Sequence, residues 1–182
     1  MKGTLRDTGR LLLFWGGWPS QWTPARFHHE GVDYSCCEQW MMAEKARVFG
    51  DHATLARILA AVEPGRHKAL GRQVRGFDAA HWSRVCRGIV YRGNLLRFTQ
   101  IPRDRDLLLA TDDRTLVEAS PLDRIWGIGL RQDDPRALVP SQWLGSNWLG
   151  VALMQVRDTL RGVALDDATL AAQLAARATP PT

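Results

Sequence analysis

A chain of 182 residues, 45% hydrophobic and 24% charged, carries enough apolar material for a continuous core and suits one domain, or one with a short appendage. No apolar run reaches the roughly 18 residues of a membrane span, and the patch at Leu11–Trp15 is too short and too late for a secretory signal, so a cytoplasmic protein without a membrane partner is expected. The net charge of +5 rests almost wholly on arginine, which forks onto phosphate oxygens and suits an anionic ligand as well as ordinary solvated helix faces.

Taken in chain order, a strand-like segment at Leu11–Trp15 leads into Gly16-Gly17, Trp18-Pro19 and a second turn signal at Glu30-Gly31, where a hairpin is expected. A helix is predicted over residues 37–49, closed by Gly50. Asp51 can cap the next helix, which buries Leu55, Ile58 and Leu59, and Pro64 suits the first turn of a third that carries Lys68 and Leu70. Asp78 can cap a longer helix on which Trp82, Val85, Cys86 and Ile89 recur at helical spacing. A short helix over 104–110, a β-like piece at 115–119 and a loop-rich stretch from Pro121 to Gly129 follow. Residues 148–160 are again amphipathic, with Ser146 or Asn147 as cap, and Asp166 can cap a last Ala-rich helix that ends before Pro180. Strand signals cluster early and thin out later, so the reading is a mainly helical α+β domain with small β elements near the N-terminus and mid-chain, and not a wholly parallel βαβ sheet.

Cys36 and Cys37 are adjacent and Cys86 stands alone, so no paired disulfide framework is visible. The histidines lack the spacing that gathers a metal, and neither a metal nor another cofactor is expected. In a chain that otherwise uses arginine, the internal lysines Lys45 and Lys68 are of interest because a lysine amine can lose its proton and attack carbon.

Several constellations can carry chemistry. In EQWMMAEKA, Glu38 and Lys45 lie seven residues apart and return to one helix face, where a carboxylate and an amine can divide acid–base and nucleophilic roles. The start of PGRHKALGR can hold an anion with backbone N–H groups beside Arg66 and Arg72. Glu118 and Asp123 form an acid pair near Trp126, Gly127 and Gly129, a plausible ligand rim in which Trp126 stacks a base, unless it plugs the core. The aromatic opening FWGGWPSQW, from Phe14, either fills the core or stacks on a flat base.

The order of these motifs resembles the NADAR (YbiA-type) family. FWGGWPSQW, EQWMMAEKA, KALGR, a tryptophan-bearing helix ending in FTQ, LLLATDDRTLVEAS, PLDRIWGIGL and NWLGVALMQVRDTL follow one another in the order of the family's motifs, covering about residues 14–160. The resemblance implies a single YbiA-like domain over 14–162, after a lead-in of 1–13 and before a tail of 163–182. It also implies an N-glycosidase acting on ribosylated substrates. One branch cleaves phosphoribosylamino-pyrimidine intermediates of riboflavin synthesis; another removes ADP-ribose from guanine in nucleic acid; a non-catalytic binder of NAD or ADP-ribose is the remaining alternative. The partner implied is therefore a small phosphate-bearing ribosylated molecule, or ADP-ribosylated nucleic acid. By position, Glu38, Lys45 and Asp123 are implied as catalytic, and Trp15, Gly16, Lys68, Trp126, Gly127 and Asn147 as substrate-binding. Arg97 stands where many members have lysine, and it cannot serve as a nucleophile.

Overall fold

The computed structural model describes residues 4–162. Two strands open the chain, β1 (Thr4–Asp7) and β2 (Leu11–Trp15), joined by a turn whose Gly9 has φ +79°. A hairpin of β3 (Phe27–His29) and β4 (Val32–Tyr34) turns at Glu30-Gly31, where both residues take positive φ. The helices α1 (Cys37–Val48), α2 (His52–Ala60), α3 (Pro64–Gly71), α4 (Ala79–Gln100) and α5 (Pro102–Leu109) follow. The last regular elements among the described residues are β5 (Thr115–Glu118) and α6 (Trp148–Arg161), with two short 3-10 turns between them. The fold is thus mainly helical α+β, as the sequence predicts. The Ala-rich helix expected after Asp166 lies outside the described residues.

Local chemistry accounts for the boundaries. Asp51 caps α2 by accepting the Thr54 N–H, and Asp78 caps α4 through the His81 N–H. Pro64 and Pro102 occupy first-turn positions, where a missing N–H costs nothing. The expected capping role of Asn147 at α6 is not what the structure shows. Asn147 sits at the cap position with φ +52° but makes no side-chain cap bond, because its amide is taken up by β5.

β2 is the middle strand of a mixed sheet, antiparallel to β1 and parallel to β5. Alternation along β2 and β5 sorts their side chains onto opposite faces. Leu12, Phe14 and Leu116 enter the main core with Trp40, Ile58, Phe98 and Leu153. Leu13 and Val117 enter a smaller cluster with Ile128, Leu130 and Ala137. Glu118 follows Leu116 by two residues and pairs with Phe14, so it shares the main-core face and carries a carboxyl to that edge of the core.

α1 is the central helix, packed by α2, α3 and α4 and buried from Cys37 through Ala43. Gly71 and Gly93 permit this approach, since a Cβ at either would run into Met42 or Trp40 respectively. No helix among the described residues is long and apolar enough to cross a membrane.

Candidate active site

Glu38 occupies the first turn of α1 and is only 6% exposed. Its backbone N–H donates to the Gln21 carbonyl at 2.9 Å, which fixes the aromatic opening segment against the helix start. Burial pushes the Glu38 carboxyl up to about 7, with Asp123 raising it further, while Lys68, a donor contact from the Trp22 side chain and Arg72 act in the opposite direction. Glu118, at the end of β5, is pushed up to about 8 by burial and by the charges of Asp123 and Glu38, against the pull of Lys68. Its Oε2 is buried with no hydrogen-bond partner.

Asp123 completes the cluster from the loop after β5. Its Oδ1 accepts the Ile125 and Trp126 N–H groups at 2.9 and 2.8 Å, which curls the loop and fixes the carboxylate. Gly127 lies where this loop returns to the strand. A Cβ there would stand 2.7 Å from the Glu118 carbonyl oxygen and 3.0 Å from that of Asp123, so only glycine fits. Gly127→Ala is expected to destabilise the fold by about 2–3 kcal/mol and to displace both acids, read as a lowered denaturation midpoint together with lost turnover.

Lys68, on α3, faces both glutamates and lies 5.9 Å from the Trp22 ring. Trp22 is 45% exposed and leaves an aromatic surface open beside Glu38. The cluster therefore holds two carboxyls that exchange protons near neutrality, a third carboxylate pinned by backbone donors, one ammonium and an accessible ring. Such a set suits general acid–base catalysis next to a flat group.

Lys45 is not gathered into this cluster. Positions seven apart on a helix share a face yet stand about 10 Å apart along the axis. The Lys45 amine donates to the Gly71 carbonyl at 2.8 Å and lies 4.0 Å from the Phe77 ring centre, with burial lowering its pKa. Trp15 is set apart too: by strand alternation it points to the face opposite Phe14 and Glu118, 41% exposed, with Gly16 beside it at φ +88°. Trp126 is half-buried, edge-on to Trp148 at 5.7 Å. Asn147 is buried and bonded to the backbone of β5.

Glu118, Trp22 and Arg72 stand in motifs that the sequence singles out, but the family resemblance does not place them among the catalytic or substrate-binding residues. A signal for Glu118 was available: an acid two residues beyond Leu116 on an alternating strand must face the core, where a carboxyl without a function is costly.

Two surface concavities lie elsewhere. One of about 350 Å³ between α2 and α3 is lined by Arg57, Val62, Arg66 and Leu70; the other, about 240 Å³, lies between the β3–β4 hairpin and α1 and is lined by Tyr34, Glu44, Arg47 and Arg92. Neither contains Glu38 or Glu118. Among the described residues no group of three His, Cys, Asp or Glu side chains could hold a metal ion.

The raised carboxyls also tie stability to pH. Folded Glu38 and Glu118 keep protons that the unfolded chain, with ordinary carboxyls near 4.5, has already released. Their favourable contribution is complete below about 4.5 and is lost as pH rises through about 7 and 8. Urea denaturation of Glu118→Gln at pH 9 is expected to show a gain on the order of 2–4 kcal/mol over wild type, shrinking towards pH 5.

Comparison with known proteins gives the family context. The NADAR domain profile matches residues 13–161. The N-glycosidase R617 of Acanthamoeba polyphaga mimivirus is 40% identical over 144 residues, covering 76% of this chain and 85% of that protein. The chloroplastic riboflavin biosynthesis protein PYRR of Zea mays is 31% identical over 109 residues, 58% of this chain but 16% of that protein. The NMR structure of Escherichia coli YbiA superposes with a TM-score of 0.69 at 24% identity, covering 84% of this chain and 85% of that one, which is a likeness of fold.

Proposed function

This chain belongs to the NADAR family, and from that premise we propose that it is an N-glycosidase hydrolysing the C1–N bond of a phosphoribosylamino-pyrimidine intermediate of riboflavin synthesis. The observation that carries the reading is the pair of buried glutamates, Glu38 and Glu118, whose proton exchange falls near neutral pH beside Asp123 and Lys68. The similarity to a named N-glycosidase supports the reaction class, and the similarity to part of a riboflavin biosynthesis protein supports the substrate.

The chemistry follows from the two protonation states. Protonated Glu118 gives its proton to the departing nitrogen, which keeps the electron pair of the C1–N bond. Positive charge then develops on C1 and the ring oxygen, and the fixed Asp123 carboxylate stabilises it. Ionised Glu38 takes a proton from water as its oxygen bonds to C1, leaving ribose phosphate and the free amine; proton transfer from Glu38 back to Glu118 resets the pair. Lys68 and Arg72 supply positive charge for the phosphate, and Trp22 offers a ring for the base.

An attacking amine is the rival to water. The Lys45 amine is engaged by the Gly71 carbonyl and the Phe77 ring rather than by either glutamate, which favours water. Borohydride added during turnover should leave no sugar mass on the protein; a stable adduct at Lys45 would overturn the water route.

The test of function is a mass-spectrometric assay with the phosphoribosylamino-pyrimidine and an ADP-ribosylated guanosine oligonucleotide side by side. Release of free pyrimidine and ribose phosphate, abolished in Glu118→Gln, is the expected result. Release of ADP-ribose from the oligonucleotide alone would move the enzyme to the nucleic-acid branch. Turnover of neither, with ADP-ribose binding retained in Glu38→Gln, would make it a binding module.

A further inference from the structure

Asn147 is 2% exposed and stands in the left-handed region, φ +52°, immediately before α6. Both ends of its amide are engaged by one strand: Oδ1 accepts the Glu118 N–H at 3.0 Å, and Nδ2 donates to the Leu116 carbonyl at 2.9 Å. Its own backbone N–H donates to the Gly127 carbonyl at 3.2 Å, on the loop that Asp123 opens. Its neighbours extend the same junction. The Ser146, Trp148 and Leu149 N–H groups donate to the Arg124, Ile125 and Trp126 carbonyls, and the Ile128 N–H to that of Glu118. Gly150 completes the fit, because a Cβ there would strike the Leu116 carbonyl and the Asn147 amide.

We infer that Asn147 is a positioning residue that ties the strand carrying Glu118 to the loop carrying Asp123, and so fixes the approach of one acid to the other. This rests on the hydrolytic reading above for its catalytic meaning, but not for its physical test. The geometry suits asparagine on two counts. Its amide presents a donor and an acceptor at the spacing of two strand groups, and asparagine tolerates the left-handed backbone better than most residues. Aspartate keeps the acceptor for the Glu118 N–H but loses the donor to Leu116; glycine keeps the backbone shape and loses both bonds. The groups that face Glu118, and so report any change in its place, are Asp123, Glu38 and Lys68.

The experiment compares wild type with Asn147→Gly and Asn147→Asp in the full chain, using side-chain carboxyl ¹³C labelling of glutamate. The Glu118 resonance is assigned by its absence in Glu118→Gln. The expected result is that the Glu118 titration midpoint falls by about one unit or more in Asn147→Gly, as the strand end loosens and water reaches the carboxyl. With active enzyme, kcat falls about 10- to 100-fold while KM stays within about threefold. Leu160→Ala, near the end of α6 far from Asn147 and chosen for a comparable loss of thermal stability, should leave the Glu118 midpoint in place. An unchanged midpoint and kcat in Asn147→Gly would overturn the inference, as would a rise in KM with kcat intact, which would make Asn147 a substrate contact. Should Asn147→Gly fail to fold, the split between kcat and KM in Asn147→Asp decides, because the added carboxylate itself pushes the Glu118 midpoint up. If wild type turns over neither substrate, the hydrolytic reading fails while the titration still decides whether Asn147 places Glu118.

Discussion

Glu118→Gln is expected to lower kcat by about 10³-fold with KM within about threefold of wild type, measured on the pyrimidine substrate at pH 7.5 or thereabouts. Glutamine matches glutamate in shape, and no side-chain hydrogen bond of Oε2 is lost, because that oxygen has no partner. What disappears is the proton available to the leaving nitrogen, which is needed in the transition state and hardly at all in binding. The deficit should therefore shrink on a substrate whose leaving nitrogen departs without protonation. Glu38→Gln removes the base and should cost a similar factor, with the double variant little worse than either single one, since the two act as a unit. The pH profiles distinguish the roles. Glu38 is held up to about 7 and Glu118 up to about 8, so the wild-type profile should be a narrow bell whose limbs belong to the pair. The alkaline limb reports loss of the acid and should vanish in Glu118→Gln; the acidic limb reports protonation of the base and should vanish in Glu38→Gln. A loss below about tenfold in Glu118→Gln, with both limbs intact, would remove Glu118 from the mechanism.

Elements whose chemistry is local were legible in the sequence. The caps at Asp51 and Asp78, the proline that opens α3 and the turn at Glu30-Gly31 each need only neighbouring residues, and each stands where the pattern places it. Glu38, Lys68 and Asp123 were legible as charged candidates and converge from α1, α3 and the loop after β5. What the sequence could not convey is which groups meet across elements. Helical spacing aligns Glu38 with Lys45 on one face, yet it is α3, packed on α1, that delivers Lys68 to the glutamates and takes the Lys45 amine onto the Gly71 carbonyl. Glu118 owes its environment to the parallel pairing of β5 with β2, a contact about a hundred residues apart in sequence that no local window contains. Asn147 reads as a helix cap because its type and position fit one; the strand's competing donor and acceptor decide otherwise.

Arg97→Met is expected to destabilise the protein by about 3–5 kcal/mol, and Arg97→Lys by about 2–4 kcal/mol, in chemical denaturation at neutral pH. The Arg97 side chain is fully buried and reaches in several directions at once. Nε and Nη2 donate to Asp104 Oδ2 at 2.9 and 2.6 Å, Nη2 also to the Trp18 carbonyl at 2.7 Å, and Nη1 to the Ser20 carbonyl at 3.2 Å. One planar cation thus joins α4 and α5 to the aromatic opening segment. Lysine preserves the charge but presents a single nitrogen, which cannot span the carboxylate and both carbonyls, so at least one buried acceptor loses its donor. Methionine leaves the partly buried Asp104 without its cation, and pairing it with Asp104→Leu should recover part of the loss, because two matched apolar groups avoid the unpaired charge. The fork onto two main-chain carbonyls is what makes arginine the residue this chain depends on. Activity should follow at a distance: the segment pinned at Trp18 and Ser20 continues to Gln21, whose carbonyl accepts the Glu38 N–H, and to Trp22 beside that carboxyl. In Arg97→Lys, assayed well below its melting temperature, the acidic limb of the pH profile should therefore shift while the alkaline limb stays; a variant as stable as wild type would show that the fork contributes nothing that an ammonium cannot.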